Sequence, residues 1–445
     1  MKQTDVLILG GLSGITAGMS CRKFYPDKKV TLVRKEGTVL IPCGIPYIFG
    51  TVGGPQNNVI PDGLLEKNGI ELIKNEVVGV DRSKKTVTLK DGEVILYDKL
   101  IFATGSVPAV PPIPGIDKKM VFTVRKDFNY LDGMLGELKS VKDLVIIGGG
   151  FIGVEFADEC RKDHAMNITV VEALSHCLQM AMDDELCQEA EAKLAETGVK
   201  IIKNSQVKSI LGDDTVTGVK LANGSEIKAD MVILAIGAKP NTELAKQAGL
   251  ALGYQGAIKT DRRMQSYNDP DVFACGDCAE KHSFFSGKAL PAMLASVATS
   301  EARIAGSNLY SPTHQNFGTI SVFSTFINGR AFAVAGLTER NAREMNMNIM
   351  VGTAEAPDTH PGGMPDSSIT KVKLVFAKGT GILLGGSLSG GRSVGEMINV
   401  ISACIMHQMT ANDIFQFQMG THPALTSSPI MYPIVNAARM VLTPA

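Results

Sequence analysis

The sequence has no excess of charge of either sign. Its 44 lysines and arginines nearly balance its 45 aspartates and glutamates over 445 residues. Nucleic-acid-binding proteins usually present a basic stripe or patch, so this balance argues against a nucleic-acid partner. No apolar run approaches the roughly 20 residues that cross a bilayer, and we therefore expect no membrane span.

We also expect neither a signal peptide nor a disulfide framework. Residues 1–14 pass directly into an apolar strand, without the apolar region and small-residue cleavage site of a secreted precursor. The eight cysteines are irregularly spaced, and a chain long enough for two or three domains does not need disulfides to fold. We therefore expect a cytoplasmic location, where a reactive thiol is cycled rather than locked.

What the sequence does contain is an internal repeat with a period of about 130 residues. Residues 91–108 (DGEVILYDKLIFATGSVP) match residues 223–240 (NGSEIKADMVILAIGAKP), since both have a polar-glycine turn, an apolar strand and a glycine ahead of a proline. Each segment follows an apolar strand that runs into glycines, at 5–18 and at 144–155. The repeat predicts two similar α/β units, each built on a strand, a glycine loop and a helix start.

The second glycine loop has the spacing of a dinucleotide-binding fingerprint. Gly148, Gly150 and Gly153 form G-x-G-x-x-G after an apolar strand, and Glu172 ends the next strand. The glycines let backbone N–H groups and a helix N-terminus approach a pyrophosphate, while the acid binds a ribose 2′-hydroxyl. Because an acid repels a 2′-phosphate, this loop favours NADH over NADPH. The alternative to dinucleotide binding is a plain tight turn between a strand and a helix.

The first glycine loop departs from that pattern. Gly10, Gly11 and Gly14 are one residue short of the fingerprint, and Arg34 ends the next strand where an acid is expected. Glu36, two residues later, is a candidate replacement for that acid. A phosphate-bearing ligand still fits a glycine turn that opens a helix, but this loop alone does not identify the ligand.

A third segment suggests which ligand the first loop holds. Residues 269–280 (DPDVFACGDCAE) form an apolar strand that ends in Gly276 and Asp277. This segment resembles the FAD-binding segment of the pyridine nucleotide–disulfide oxidoreductases, whose aspartate binds the flavin ribityl chain. Four further residues belong to segments that resemble the linker motifs of that family. The resemblance places them at the cofactor: Ala103, Thr104, Gly105 and Gly237.

Cys275 and Cys278 also permit a different interpretation. A C-x-x-C pair with His282 nearby can ligate zinc. No second pair of ligands stands out in the sequence, and Asp277 between the cysteines suits a flavin-binding role. We therefore assign no metal site.

The resemblance extends over nearly the whole chain and implies an α/β fold with two Rossmann-like domains. It implies a discontinuous FAD-binding domain (1–112 and 242–315) and an NAD-binding domain (113–241). From about residue 316, alternating strand patterns and a helical stretch indicate an α+β unit, which resembles the family's dimerisation domain (316–445). The family's members form homodimers in which this domain completes the partner's active site.

Cys43 is the candidate redox-active residue. In the family, the active cysteine follows the first βαβ segment and faces the flavin, often as C-x4-C, but here the fifth residue onward is Ile48. The segment therefore resembles the single-cysteine branch: coenzyme A-disulfide reductases, NADH oxidases, NADH peroxidases and NAD(P)H sulfur reductases. A single cysteine can cycle between thiolate, sulfenate and mixed disulfide. We expect a helix to begin near residue 44; the alternative for Cys43 is ordinary core packing.

Two further residues are candidate catalytic groups by resemblance. Glu155 matches a glutamate that lies near the nicotinamide, although an acid in the first helical turn also suits the helix dipole. His422 matches the histidine before the proline of the family's His-x-His-Pro segment, while Gly420 stands at the position of the general base. His422 either relays protons or packs beside Pro423.

We therefore predict an FAD-dependent, NADH-linked oxidoreductase that reduces a small-molecule disulfide, persulfide or polysulfide at Cys43. The first glycine loop lacks the histidine of NADH peroxidases, which argues against peroxide. Val39 and His360 stand where coenzyme A-disulfide reductases usually have a serine and a tyrosine, so coenzyme A as substrate or bound thiol stays open. The alternatives are an NADH oxidase that reduces oxygen and a flavin redox sensor with slow turnover.

Overall fold

The computed structural model describes residues 2–442, which divide into two compact units. Among these residues, the first unit comprises 2–111, 123–139 and 237–319, and the second comprises 112–122, 140–236 and 320–442. No helix in the described part of the chain has the length and apolar character that a membrane crossing requires.

The first unit is built on an eight-stranded sheet with a parallel centre. The parallel strands lie in the order Asp269–Ala274, Val94–Ala103, Lys2–Gly10, Val30–Arg34 and Ile70–Lys74. Their apolar side chains are buried on both faces, as in sheets covered by helices on each side. Gln265–Ser266 adds an antiparallel edge, and the hairpin Val77–Asp81 and Thr86–Leu89 pairs with Val94–Ala103.

Helices, short strands and turns complete the first unit. Its α-helices are Leu12–Phe24, Gly63–Lys67, Phe128–Leu138, Glu243–Gln247 and Ala295–Ser307. Its two-stranded pairs are Val39–Leu40 with Val59–Ile60, Ser106–Pro108 with Ala238–Pro240, and Lys281–His282 with Ala289–Leu290. Its 3-10 helices are Pro42–Gly44, Pro46–Phe49, Pro55–Asn57, Tyr254–Gly256 and Gly276–Cys278.

The second unit contains a second parallel sheet. Met231–Leu234, Asp143–Ile147, Asn167–Val171 and Lys200–Ile202 pair in parallel in that order, and Val121–Thr123 joins the first of them. The helices Phe151–Asp163 and Asp184–Glu196 and an antiparallel sheet of Val207–Leu211, Gly218–Leu221 and Glu226–Lys228 accompany it. The predicted pair of Rossmann-like folds is therefore confirmed.

A five-stranded antiparallel sheet forms the rest of the second unit. Its order is Val322–Ile327, Arg330–Gly336, Leu383–Gly390, Ile369–Ala377 and Ile349–Pro357. Its helices are Glu339–Glu344, Val394–Met406, Ala411–Phe415 and Pro433–Leu442, with a 3-10 turn at Pro429–Met431. The predicted α+β character of this region is confirmed, whereas the strand Ile349–Pro357 and the last helix were not anticipated. The division into three domains at the stated boundaries stays a prediction.

Candidate active site

The first glycine loop forms an open cradle at the carboxyl end of the central strand. Gly10 has a φ of +136°, and a Cβ there would collide with the carbonyl oxygen of Ala103, so glycine is required. A Cβ on Gly11 would meet no protein atom within 4 Å. The helix Leu12–Phe24 begins at this open side, where its unpaired N–H groups can bind an anion. The residues present therefore fit a pyrophosphate.

The turn Gly276–Cys278 lies directly against that cradle. Gly276 has a φ of +74°, and a Cβ there would lie 2.5 Å from Ser13 Oγ in the first loop. Asp277 accepts a hydrogen bond from Ser106 Oγ at 2.7 Å, and Lys126 Nζ lies 3.3 Å from the same carboxylate oxygen. The structure thus brings Gly10, Gly11 and Gly14 together with Gly276 and Asp277, as the sequence predicts.

A buried ion pair holds this turn from behind. Lys281 and Glu301 are 2.9 Å apart, and their side chains are 3% and 1% exposed. Glu301 accepts the Gly276 N–H at 3.0 Å, and Lys281 donates to the carbonyl oxygens of Gly276 and Ala279. Both polar backbone groups of Gly276 are therefore fixed by charged partners, which make stronger hydrogen bonds than neutral ones.

The two linker motifs pair with each other beside the cradle. Ser106–Pro108 and Ala238–Pro240 form an antiparallel ribbon, and Ala109 N–H donates to the carbonyl oxygen of Gly237 at 2.9 Å. Thr104 Oγ1 donates to the carbonyl oxygen of Asn241 at 2.6 Å. Ala103 pairs with Gly10 in the sheet register. The predicted linker residues therefore lie next to the first loop, with Asn241 as an additional partner.

The second glycine loop forms a cradle of the same kind in the second unit. Gly148 has a φ of +106°, and a Cβ on Gly153 would collide with the Gly148 carbonyl oxygen. A Cβ on Gly150 would meet nothing within 4 Å. Glu172 is buried and accepts the N–H groups of Gly149 at 2.6 Å and Leu174 at 2.7 Å. Each carboxylate oxygen keeps acceptor capacity for a ribose hydroxyl, so this cradle fits a dinucleotide.

The C-x-x-C pair is buried in the structure. Cys275 and Cys278 are 0% exposed, and Cys278 Sγ donates to the carbonyl oxygen of Phe102. Burial raises the pKa of both thiols above its ordinary value. Within residues 2–442, no group of three or more His, Cys, Asp or Glu side chains is arranged to hold a metal ion.

Cys43 is the exposed member of the eight cysteines, all of which lie in the described part of the chain. It sits in the 3-10 turn Pro42–Gly44, and a second such turn, Pro46–Phe49, follows. The helix expected near residue 44 takes the form of two short 3-10 helices, each of which begins with a proline. Core packing of the Cys43 side chain is excluded.

Asn58 supports the turn that carries Cys43. The Asn58 side chain is buried, and its amide N–H donates to the backbone carbonyl oxygen of Ile41 at 2.9 Å. The backbone carbonyl oxygen of Asn58 accepts the Ile41 N–H. A Cβ on Gly44 would collide with the Asn58 amide oxygen. Gly44 is therefore needed for close packing, and the backbone beside Cys43 is fixed on one side by a buried amide.

Glu155 occupies a site that suppresses its ionisation. It accepts a hydrogen bond from Thr325 Oγ1 at 2.8 Å, across from the helix Phe151–Asp163 to the strand Val322–Ile327. Burial raises the pKa of Glu155 to about 7, and the neighbouring acids Glu159 and Asp158 add to the effect, whereas the Thr325 bond opposes it. A carboxyl group with a pKa near neutrality can gain and lose a proton under physiological conditions.

His422 lies in an exposed loop of the second unit. Its Nδ1 accepts the Ala424 N–H at 3.2 Å, which leaves Nε2 as the donor in the neutral ring. The same loop is tied to His360, which donates its backbone N–H to the carbonyl oxygen of Pro423. The ring is thus oriented rather than packed in a core, and its role in proton transfer stays a prediction.

Arg34 and Glu36 are placed differently from each other. The Arg34 side chain is fully buried and pairs with Asp62, while Glu36 is half-buried and its backbone carbonyl oxygen accepts Arg34 Nε at 3.0 Å. Sequence analysis did not identify four residues that contact this site: Asp62, Asn58, Thr325 and Lys126. Each of them reaches its partner from a distant part of the chain, and no local motif marks such a contact.

Comparisons with known proteins agree with this geometry. The profile of the family described as pyridine nucleotide-disulphide oxidoreductase matches residues 4–302, and that of its dimerisation domain matches residues 322–430. An NAD(P)H sulfur oxidoreductase (CoA-dependent) of Pyrococcus abyssi is 32% identical over 99% of this chain and 98% of its own length.

Two solved structures are also similar over nearly the whole chain. A NAD-dependent persulfide reductase from A. fulgidus has a TM-score of 0.90 and 29% identity, over 98% of this chain and 83% of that one. The water-forming NADH oxidase from Lactobacillus brevis, bound to NADH, has a TM-score of 0.89 and 28% identity, over 99% of this chain and 98% of that one. With its two glycine cradles and exposed cysteine, this chain is a member of the pyridine nucleotide-disulphide oxidoreductase family, flavoenzymes that use FAD and a nicotinamide dinucleotide.

Proposed function

We propose that this protein reduces a disulfide, persulfide or polysulfide at Cys43 with electrons from NADH, and that coenzyme A is the thiol it handles. The observation that carries the proposal is the exposure of Cys43 on a fixed turn, in the same unit as the first glycine cradle and Asp277. The other seven cysteines are buried. A soluble disulfide can therefore reach only this sulfur without unfolding of the chain.

The chemistry of this chain begins with the Cys43 thiolate. It attacks one sulfur of the substrate, so that a mixed disulfide forms at Cys43 and the first thiolate leaves. Because the position five residues later is Ile48, no neighbouring cysteine resolves this bond. The first cradle, with Gly276 and Asp277, would hold FAD, which would supply the two electrons of NADH needed at the mixed disulfide. Reduction of that bond releases the second thiolate and returns Cys43 to its starting state. In sum, NADH, one proton and one disulfide give NAD⁺ and two thiols.

The second cradle would hold the nicotinamide dinucleotide. Gly148, Gly150 and Gly153 leave room for the pyrophosphate, and Glu172 accepts hydrogen bonds from the adenosine ribose. The carboxylate would repel a 2′-phosphate, which supports NADH over NADPH. We propose that Glu155 holds or releases a proton beside the nicotinamide, because its pKa of about 7 allows both states.

A groove on the first unit supports coenzyme A as the thiol. Its volume is about 1230 Å³, and its lining includes Lys23, Lys67 and Arg303, which are exposed and form no ion pair within residues 2–442. Phe24 also lines it and is 43% exposed. Unpaired cations suit the phosphates of a nucleotide tail, and an exposed ring suits an adenine.

We further propose a cytoplasmic homodimer. The match to the dimerisation domain covers residues 322–430, and Leu425 and Ile430 in this region are 69% and 83% exposed. Apolar side chains this exposed favour a protein interface. In the proposed dimer, the loop with His422 completes the partner's site and supplies a proton donor. Seven buried cysteines that remain thiols fit a reducing compartment.

An anaerobic assay tests the proposed function. NADH oxidation is measured with coenzyme A disulfide, with polysulfide and with no acceptor, for wild type, Cys43→Ser and the matched variant Cys21→Ser. We expect Cys43→Ser to lose disulfide reduction while NADH still bleaches the flavin absorbance, and Cys21→Ser to behave as wild type. Wild-type activity in Cys43→Ser would contradict the proposal.

The same assay, repeated in air, separates the alternative activities. The similarity to a water-forming NADH oxidase makes oxygen the second candidate acceptor. NADH consumption only in air would identify an oxidase. The absence of steady consumption with any acceptor would identify a flavin redox sensor with slow turnover.

A further inference from the structure

Arg34 stands in the first unit where Glu172 stands in the second. Leu9 pairs with Val33 in the first parallel sheet, so the next register position joins Gly10 and Arg34. Ile147 pairs with Val171 in the second, so the next position joins Gly148 and Glu172. The two residues therefore occupy the same register position at the carboxyl edge of their sheets, next to the first glycine of each loop.

The two side chains offer opposite chemistry at this place. Glu172 only accepts hydrogen bonds when ionised, and it binds the Gly149 N–H. Arginine only donates, so Arg34 cannot take over that contact. A Cβ on Gly11, the residue before the first helix, would meet no protein atom within 4 Å, and the same is true of its counterpart Gly150. The first loop is one residue shorter, so it has no counterpart of Gly149, and it also lacks the acid that binds the Gly149 N–H.

Every nitrogen of the Arg34 guanidinium except one has a partner. Nε donates to the Glu36 carbonyl oxygen at 3.0 Å, and Nη2 donates to Gly37 at 3.3 Å and pairs with Asp62. Lys74, which pairs with Arg34 in the sheet register, binds the other Asp62 oxygen at 2.7 Å. Nη1 has no hydrogen-bond partner among residues 2–442. Solvent does not supply one either, because the Arg34 side chain is 0% exposed.

A buried charged donor without an acceptor is costly, which points to a ligand that supplies the acceptor. In cradles of this architecture, the adenosine ribose lies at the end of the strand that follows the glycine loop. Arg34 ends that strand here. A ribose hydroxyl can accept a hydrogen bond as well as donate one, so a donor can replace the usual acid.

We propose that Arg34 Nη1 donates to the adenosine ribose 2′-hydroxyl oxygen of bound FAD, and that Asp62 is the positioning residue that fixes the guanidinium for this contact. The ribose is then recognised through its oxygen rather than through its hydrogen. Glu36, the acid that the sequence offers as a replacement, is not needed for the contact.

The test measures flavin release from the full-length holoprotein, loaded with FAD or with its 2′-deoxyadenosine analogue. Release after dilution is followed by the rise of flavin fluorescence. We expect wild type to release the analogue about tenfold faster than FAD, the loss expected for one hydrogen bond to a charged donor. Arg34→Met should release both flavins at one rate, while Lys35→Met, a change of the exposed neighbour, should keep the tenfold difference.

Two further variants keep the test decisive if Arg34→Met does not fold. Asp62→Asn should reduce the difference between the two flavins, because it removes the carboxylate that fixes Arg34. Glu36→Gln should leave the difference intact. Equal release of both flavins by wild type, an unchanged difference in Arg34→Met or Asp62→Asn, or loss of the difference in Glu36→Gln would each overturn the proposal.

Discussion

The two glycine cradles share their backbone geometry but differ in the charges around it. In both, a glycine with positive φ, Gly10 or Gly148, ends a parallel strand and lies against the neighbouring strand's carbonyl oxygen. At the ribose end, however, one carries Arg34 and the other Glu172. Close packing requires glycine at these backbone positions in both loops. The charged residue at the end of the next strand is not constrained in this way, and it can differ with the ligand. Position therefore identifies a nucleotide site, and side-chain chemistry identifies which nucleotide.

The helices that open the two cradles differ in the same way. The fifth residue of Leu12–Phe24 is Thr16, and the fifth residue of Phe151–Asp163 is Glu155. Thr16 bonds only to its own helix, at Leu12. Glu155 instead carries an acid whose pKa lies near 7. At this helix position the second cradle thus carries a group that can exchange a proton, which agrees with the proposal that NADH reacts there.

The largest effect is expected from alanine at the glycines of the second cradle. Gly153→Ala places a Cβ against the Gly148 carbonyl oxygen, so we expect a loss of about 2 kcal/mol and a melting temperature lower by about 5 °C. Gly150→Ala meets no protein atom and should leave the melting temperature unchanged, yet raise the KM for NADH about tenfold, because the methyl group fills ligand space. Thermal unfolding and NADH kinetics measure both. An unchanged KM in Gly150→Ala would mean that the nucleotide lies elsewhere.

A change of charge at Glu172 should alter the choice of nucleotide. Glu172→Gln removes the repulsion of a 2′-phosphate, so we expect the ratio of kcat/KM for NADPH over NADH to rise about tenfold, the effect of about 1.4 kcal/mol. Steady-state kinetics with both nucleotides measure it. The flavin content should stay constant, since the first cradle carries Arg34 instead. A ratio that does not change would separate Glu172 from nucleotide selection.

The smallest effect concerns the dependence of stability on pH. Glu155 has a pKa of about 7, above its ordinary value of 4.5, so the folded protein binds this proton more tightly than the unfolded chain does. Its contribution is therefore most favourable below pH 4.5 and is lost as the pH rises towards 7. Glu155→Gln should be more stable than wild type at pH 8 by about 1 kcal/mol, because solvent screens part of the effect at a half-buried carboxyl group, and about equal to it near pH 4.5.

The measurement is the melting temperature of both proteins from pH 5 to pH 8. A gap that widens by a few degrees with rising pH is expected. Thr16→Val, the matching change in the first cradle, should produce no pH-dependent gap, because it removes no titrating group. A constant gap for Glu155→Gln would show that the carboxyl group ionises at its ordinary pKa.

Local patterns were sufficient to predict the cradles. Gly148, Gly150 and Gly153 follow from the backbone that a strand–helix turn needs, and Glu172 follows at the end of the next strand. The exposure of Cys43 also agrees with its neighbours Pro42, Gly44 and Pro46, which are unsuited to a core strand. These features depend on residues close in sequence, so their spacing carries the information.

Contacts between residues that are far apart in the sequence could not be predicted from local patterns. Thr325 lies 170 positions from Glu155 in the sequence. The pKa of Glu155 depends on its burial and on this hydrogen bond, as well as on the acids of its own helix. Asp62 and Lys74 reach Arg34 only because the sheet order places their segments side by side. The helix expected near residue 44 is present as two short 3-10 helices, and the sequence analysis did not anticipate that division.

The ion pair of Lys281 and Glu301 has a consequence for tolerance to ionic strength. Mobile ions do not enter a site whose side chains are 3% and 1% exposed, and so they screen it weakly. The lysines and the arginine of the surface groove, by contrast, face solvent and lose their attraction for phosphates as salt accumulates. In a cell with a high internal salt concentration, the affinity of such an enzyme for its prosthetic group would change little, while its affinity for an anionic substrate would fall.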